Sequence, residues 1–144
     1  MGISYSILAS LTPRPAAIAQ TERQFLTYSF SAYVLSPYPT AAQKTKIKFP
    51  NTNVPDYTTT ENIKSGSGSD PERQGATYTY GPYDNVSAGA TYPITVRYEF
   101  TKPVITAHLL ERDLEVSHWG GNLATEERYW LRNNGSELRD HFSR

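Results

Sequence analysis

A chain of 144 residues is long enough for one domain with a hydrophobic core, and its 14 basic side chains balance 14 acidic ones. That balance excludes a global field that would steer nucleic acid or an anionic membrane toward it. Aromatic residues make up 12%, with eleven tyrosines, which favours strands and interfaces over helices. The absence of cysteine excludes a disulfide framework, thiol catalysis and zinc–thiolate sites, and leaves the compartment open.

No apolar run reaches the roughly 18 residues of a membrane-spanning helix. The opening Met1-Gly-Ile-Ser-Tyr5 lacks the basic-then-apolar order of a signal peptide and runs straight into a strand-like pattern. A segment of a longer polypeptide is the expectation.

Period-two alternation dominates from there on. Ile3, Tyr5, Ile7, Ala9 and Leu11 read as the buried side of a strand that ends at Thr12-Pro-Arg-Pro15. A second strand places Leu26, Tyr28, Phe30, Ala32 and Val34 toward a core, with Thr27, Ser29 and Ser31 opposite. Residues 25–43 hold no charge, so the second face is expected to be covered, by strands upstream of this segment, by another polypeptide, or by strands of this chain. Thr45, Ile47 and Phe49 then alternate with Lys44, Lys46 and Lys48, which suits a solvated edge strand.

Pro50-Asn-Thr-Asn-Val-Pro55 and Lys64-Ser-Gly-Ser-Gly-Ser-Asp-Pro71 read as mobile loop, and residues 62–75 are expected to be flexible. Tyr78, Tyr80 and Tyr83 around Gly81-Pro82 suggest an aromatic-anchored turn. Tyr92, Ile94, Val96, Tyr98 and Phe100 mark the cleanest strand. Residues 104–110 are apolar on both faces, hence expected to be central.

Leu114, Val116 and His118 continue in period two to Gly120-Gly121, and the alternation resumes from Leu123 to Leu131 before Asn133-Asn-Gly135. A helix over 123–131 competes, because Ala, Glu, Arg and Leu favour helices, but the apolar spacing matches a hairpin better. The expected architecture is all-β: one antiparallel β-sandwich-like domain over residues 1–144, with about seven or eight strands and one long mobile loop.

Chemistry is nearly silent in this sequence. His118 has no second histidine within a helical turn and meets Glu126 only eight residues on, so the zinc-protease pattern is missing. Glu126 and Glu127 are adjacent and on a strand point to opposite faces, so they cannot form a paired-acid glycosidase centre. There is no Gly-x-Ser-x-Gly elbow, phosphate loop or dinucleotide fingerprint. The reading is therefore no catalytic residue, no metal ligand and no cofactor.

Two features invite binding. Trp119 and Trp130 are of the type that stacks on pyranose rings, although a tryptophan beside a hairpin turn more often packs over its sheet. Asn85-Val-Ser87 and Asn134-Gly-Ser136 are N-glycosylation sequons, both placed in predicted loops.

The run Leu114-Glu-Val-Ser-His-Trp-Gly-Gly-Asn-Leu-Ala-Thr-Glu-Glu-Arg-Tyr129, continuing to Asp140-His-Phe-Ser-Arg144, resembles the ribophorin I family. That family supplies subunit 1 of the eukaryotic oligosaccharyltransferase. Ser36-Pro-Tyr-Pro-Thr40 and Tyr80-Gly-Pro-Tyr-Asp84 look like further landmarks in the same order, so the likeness extends over most of the chain. The double glycine and Glu126-Glu-Arg-Tyr129 look more like fungal members, and Trp130 departs from the pattern.

The resemblance implies an internal lumenal segment of a membrane-anchored protein of the endoplasmic reticulum. It implies a non-catalytic subunit that stabilises the complex and presents substrates. Other oligosaccharyltransferase subunits, the catalytic one included, and nascent polypeptides would be its partners. An autonomous glycan- or peptide-binding β-sandwich is the alternative, and a hydrolase domain a remote third.

Overall fold

The computed structural model describes residues 2–7, 10–61 and 69–143. The described residues contain no helix and thirteen strand segments. These are β1 (Leu11–Pro13), β2 (Ala17–Ile18), β3 (Phe25–Ser31), β4 (Thr40–Lys48), β5 (Asp56–Tyr57) and β6 (Thr60–Glu61). They continue with β7 (Ser69–Asp70), β8 (Glu72–Gln74), β9 (Thr77–Val86), β10 (Pro93–Glu99), β11 (Ile105–Val116), β12 (Leu123–Asn133) and β13 (Glu137–Leu138). The all-β expectation holds, with more strand segments than its alternation suggests, from two residues up to the twelve of β11.

Two sheets enclose the core. One runs β1-β3-β10-β5 and the other β4-β9-β8, every pairing antiparallel. Leu26, Ile94, Val96 and Tyr98 face inward from the first, and Tyr78, Tyr80, Tyr83 and Val86 from the second. Phe49 and Val54 fill the space beside them.

Aromatic rings lock the layers together. Phe30 meets Tyr80 edge-on at 6.1 Å, Tyr57 meets Tyr78 at 5.1 Å and Phe49 meets Tyr98 at 5.4 Å. Such pairs add about 0.5–1.5 kcal/mol each beyond the area they bury. The lysine-rich strand β4 lies at the edge of its sheet with Lys44, Lys46 and Lys48 exposed, as expected.

Several expectations are corrected. Residues 2–7 are exposed and form no strand, and Leu8 and Ala9 lie outside the described residues. Alternation there meets no neighbouring ladder, and without one a strand is not formed; only Leu11–Pro13 pairs, against Leu26, Thr27 and Tyr28. Tyr78, Tyr80 and Tyr83 flank no turn, because Gly81-Pro82 sits inside the continuous strand β9. Residues 104–110 are not central; every residue of β11 is exposed. Of the loop expected at 62–75, residues 62–68 lie outside the described residues. Ser69–Asp70 pairs with Thr60–Glu61, and Glu72–Gln74 forms a hairpin with β9.

The connection at 50–55 is packed rather than loose. Val54 is buried, and the two asparagines converge on Glu99: Asn51 Nδ2 donates to its carbonyl at 2.8 Å, and Asn53 Nδ2 donates to its carboxylate. Arg23 completes the set with an ion pair at 2.8 Å. Glu99 lies on the outer face of β10, yet its side chain is only 7% exposed because this connection folds over it.

The Asn53 hydrogen bond, followed by the Arg23 hydrogen bond and charge, holds the Glu99 carboxyl below the ordinary glutamate range, against the opposing pull of desolvation. A depressed carboxyl means that the unfolded chain binds the proton more readily. Its contribution to stability is therefore full above the unfolded value, about pH 4.3, and disappears as pH falls through the lowered folded value. Unfolding by urea should show a steeper loss of stability below that pH in the wild-type chain than in Glu99→Gln. Parallel curves would show that this carboxylate does not contribute.

Candidate functional site

Three surfaces bring together side chains able to bind. The first is the outer face of the four-stranded sheet. Because side chains alternate along a strand, the register that turns Leu26, Tyr28 and Phe30 inward places Thr27 and Ser29 outside, beside Thr95 and Arg97 of β10. Asp56 of β5 stands opposite Arg97, and Thr12 of β1 opposite Thr27. Thr27, Ser29, Thr95, Arg97 and Asp56, together with Arg14, Tyr57 and Thr58, line an open groove of about 910 Å³.

The groove is knit by its own hydroxyls. Ser29 and Thr95 share a hydrogen bond at 3.1 Å, and Thr58 Oγ1 accepts the Thr95 amide at 3.0 Å. Arg97 Nε donates to the Arg14 carbonyl at 3.1 Å while its guanidinium lies 4.7 Å from the Phe25 ring centroid. An extended backbone or a hydroxyl-rich ligand finds donors and acceptors here but no arranged nucleophile and base. Around Ser29, which is exposed, the face opposite the core is open, with no described strand lying over it.

The second surface is a ribbon formed by β11 and β12 alone. It turns at residues 117–122, where Gly121 adopts φ of 65°, the Gly121 amide donates to the Ser117 carbonyl at 3.1 Å, and the Ser117 amide donates to the Asn122 carbonyl at 2.9 Å. Glycine carries this left-handed backbone without strain. The hairpin reading is thus correct, and 123–131 is strand, not helix.

Gln24 clasps the ribbon's base. Its Nε2 donates to the carbonyls of Phe100 and Lys102 at 2.8 and 3.1 Å, and its Oε1 accepts the Ser136 amide at 2.9 Å. The Asn134 amide closes the base on the Val104 carbonyl at 2.7 Å.

The ribbon does not unite the two tryptophans. Trp119 is 91% exposed at the turn, with the His118 ring 5.4 Å away. Trp130 pairs with Leu109 toward the base and is 39% exposed. About seven strand residues separate it from the turn, roughly 20 Å, too far for one stacking platform. His118 and Glu126 do not converge, and among the described residues no group of three or more His, Asp or Glu is placed to hold a metal ion.

The third comprises the sequons. Asn134 is exposed in the connection between β12 and β13, where the Ser136 hydroxyl donates to the Pro15 carbonyl at 2.9 Å. Asn85 is not in a loop. It is the penultimate residue of β9, exposed, with φ of 53°. Asparagine tolerates that left-handed conformation better than most residues, and the kink turns its side chain off the sheet's regular alternation.

Sequence reading did not anticipate Asp56, Thr58 and Arg97 in the groove, nor the closure over Glu99. Thr95 and Arg97 alternate with the core residues of β10, which placed them outside. The partner strand β5 is only two residues long and leaves no periodic signal.

The description Ribophorin I belongs to the family model that matches this chain, over residues 1–144. Among curated proteins, the chain is 40% identical over 145 residues to dolichyl-diphosphooligosaccharide–protein glycosyltransferase subunit 1 of Caenorhabditis elegans, covering 99% of this chain and 23% of that protein. It is 35% identical over 142 residues to subunit 1B of Arabidopsis thaliana, covering 99% and 29%, and 36% identical over 142 residues to subunit 1B of Oryza sativa, covering 99% and 28%. The chain thus spans less than a third of the length of these relatives.

Proposed function

The chain belongs to the ribophorin I family, and from that premise we propose that it acts as part of a non-catalytic subunit of an oligosaccharyltransferase complex. In this reading it supports N-linked glycosylation in the endoplasmic reticulum from the lumenal side, by stabilising the complex and presenting the acceptor polypeptide. Its partners are the other subunits, the catalytic one included, and nascent chains. The observation that carries the reading is the match of all 144 residues to one family model.

The open face of the β1-β3-β10-β5 sheet is the surface best suited to that role. It is broad and rich in hydroxyls, with Arg14, Asp56 and Arg97 as its charged groups, so it offers many hydrogen-bonding groups to a docked surface that pairs them. Lysines at Thr12 and Ser29 place two ammonium groups on this face without touching the core. In the full-length protein, Thr12→Lys with Ser29→Lys should weaken assembly, seen by blue-native electrophoresis, more than Lys44→Ser with Lys46→Ser. The thermal midpoint of the 144-residue chain serves as the folding control. Unchanged assembly with unchanged stability would mean that the face stays open to water in the complex.

A lumenal location also makes Asn85 and Asn134 acceptors, since both side chains are exposed and leave room for a glycan. Endoglycosidase treatment should lower the mass of the protein from eukaryotic cells, and Asn85→Gln with Asn134→Gln should remove the part of that shift due to these sites. The autonomous glycan-binding alternative would rest on Trp119 or Trp130 singly, because Trp119 stands at the turn and Trp130 toward the base of the ribbon.

A further inference from the structure

The β11–β12 ribbon has two chemically distinct faces, one mainly charged and one mainly apolar. On one face Arg128 pairs with Asp113 at 3.1 Å, Glu126 at 2.9 Å and Glu111 at 3.6 Å, a solvated charged network that gives way to the Leu109–Trp130 pair only toward the base. The register puts Leu110, Leu114, Val116, Leu123 and Leu131 on the other, all of them exposed. In the middle of that apolar face sits one ion pair, Arg112 to Glu127 at 2.6 Å, to which the Tyr129 hydroxyl adds a hydrogen bond. Apolar on one side and charged on the other is the pattern of a sheet with one face packed.

A two-stranded ribbon with no packed face is marginal in water. Here, among the described residues, no third strand pairs with either long edge. We propose that the Leu110, Leu114, Val116, Leu123 and Leu131 face seats a second β-layer contributed by the same polypeptide outside residues 1–144.

Three observations select that occupant. The relatives carry more than two thirds of their length outside the matched part, so polypeptides of this family have ample chain to supply a layer. The base of the ribbon is clasped to the body by Gln24. Phe142 lines one cleft with Pro103 and Asn133, so in a longer polypeptide the residues after 143 start beside the ribbon. Elements consecutive in sequence tend to be neighbours in space, and a tether raises the local concentration of the partner.

The ion pair argues for protein over lipid. Arg112 and Glu127 enter a protein interior already paired and hydrogen-bonded, whereas hydrocarbon offers them and the open strand edges nothing. The reverse face adds Glu111, Asp113, Glu115 and Glu126 against Arg128 and Arg132, an acidic balance that anionic lipid repels.

The test uses the absence of cysteine from these 144 residues. Leu114→Cys, Leu123→Cys, Asp113→Cys and Ala124→Cys would each be treated with a maleimide and followed by site-resolved mass spectrometry. The full-length protein, purified free of other subunits, is compared with the 144-residue chain. The Leu114→Cys and Leu123→Cys sites should react roughly tenfold more slowly in the full-length protein, and the Asp113→Cys and Ala124→Cys sites equally in both.

Equal reactivity at Leu114→Cys in the two proteins overturns the proposal. So does protection that appears only with phosphatidylcholine–phosphatidylserine vesicles, only in the assembled complex, or in the 144-residue chain as its concentration rises. Hydrogen exchange needs no substitution and keeps the test decisive if a variant misfolds. Peptides covering 109–116 and 123–131 should exchange more slowly in the full-length wild type, and equal exchange would refute the second layer.

Discussion

Replacing Tyr80 with alanine lowers the thermal unfolding midpoint of the 144-residue chain by about 10 °C or more, from a loss of about 3–5 kcal/mol. Tyr80 is 0% exposed, the most deeply placed ring of the core. It projects from β9 between the sheets, meets Phe30 of the opposite layer edge-on, and donates its hydroxyl to the Thr58 carbonyl at 3.0 Å. Alanine leaves a void bounded by both sheets, and neither layer can collapse into it without breaking the other aromatic contacts.

The hydroxyl and the ring are separable. Tyr80→Phe keeps the ring and removes one hydrogen bond, so it should cost about 0.5–1.5 kcal/mol. Trp119→Ala removes a larger side chain that touches almost nothing, and should stay within about 0.5 kcal/mol of wild type. Circular dichroism melts of the three variants rank them. A Trp119→Ala chain as unstable as Tyr80→Ala would place the core elsewhere.

That ranking runs against the look of the sequence, and the reason shows which features period-two alternation can carry. Alternation reports which side chains share a face, and it was right wherever a strand had a packed partner: residues 25–31, 40–48 and 93–99. It cannot report whether a face is covered. Residues 104–110 have the apolar content of a buried strand, yet they stand exposed in a ribbon. Ile3, Tyr5 and Ile7 alternate as cleanly and pair with nothing.

The candidate surfaces were legible to the same extent. The charge-free run pointed to an unusual face on β3, and the face is there, but the residues completing the groove come from β5 and β10, more than 25 positions away in sequence. Glu99 was hidden for a related reason. A connection rich in asparagine and proline reads as loose because it has little to bury, whereas its value lies in amide donors aimed at one carboxylate and one carbonyl. The hairpin at Gly120-Gly121 was the most legible element, because register, turn and glycine placement agree locally and need no distant partner.

Replacing Gly81 with valine is expected to cost at least about 3 kcal/mol, because two independent penalties meet at one residue. Gly81 has φ of 86°, a conformation strained for any side chain and most of all for a β-branched one. A Cβ there would lie 2.9 Å from the Tyr83 amide nitrogen and 3.0 Å from the Gln43 carbonyl oxygen, both backbone atoms that cannot swing aside. The register of β4 against β9 shifts between Gln43 and Thr45, opposite this glycine, so relief of the clash would have to move the ladder. Moving it would pull Tyr80 and Tyr83 out of the core on either side. Gly75 separates the two penalties: its φ is 60°, but a Cβ there meets nothing within 4 Å. Gly75→Ala should therefore lose only the conformational cost, about 1–2 kcal/mol, while Gly81→Ala loses clearly more and Gly81→Val most. Urea unfolding of the three variants measures the order. Equal losses for Gly75→Ala and Gly81→Ala would mean that the β4–β9 ladder yields around the added carbon, and that the close approach of the two strands contributes nothing to the fold.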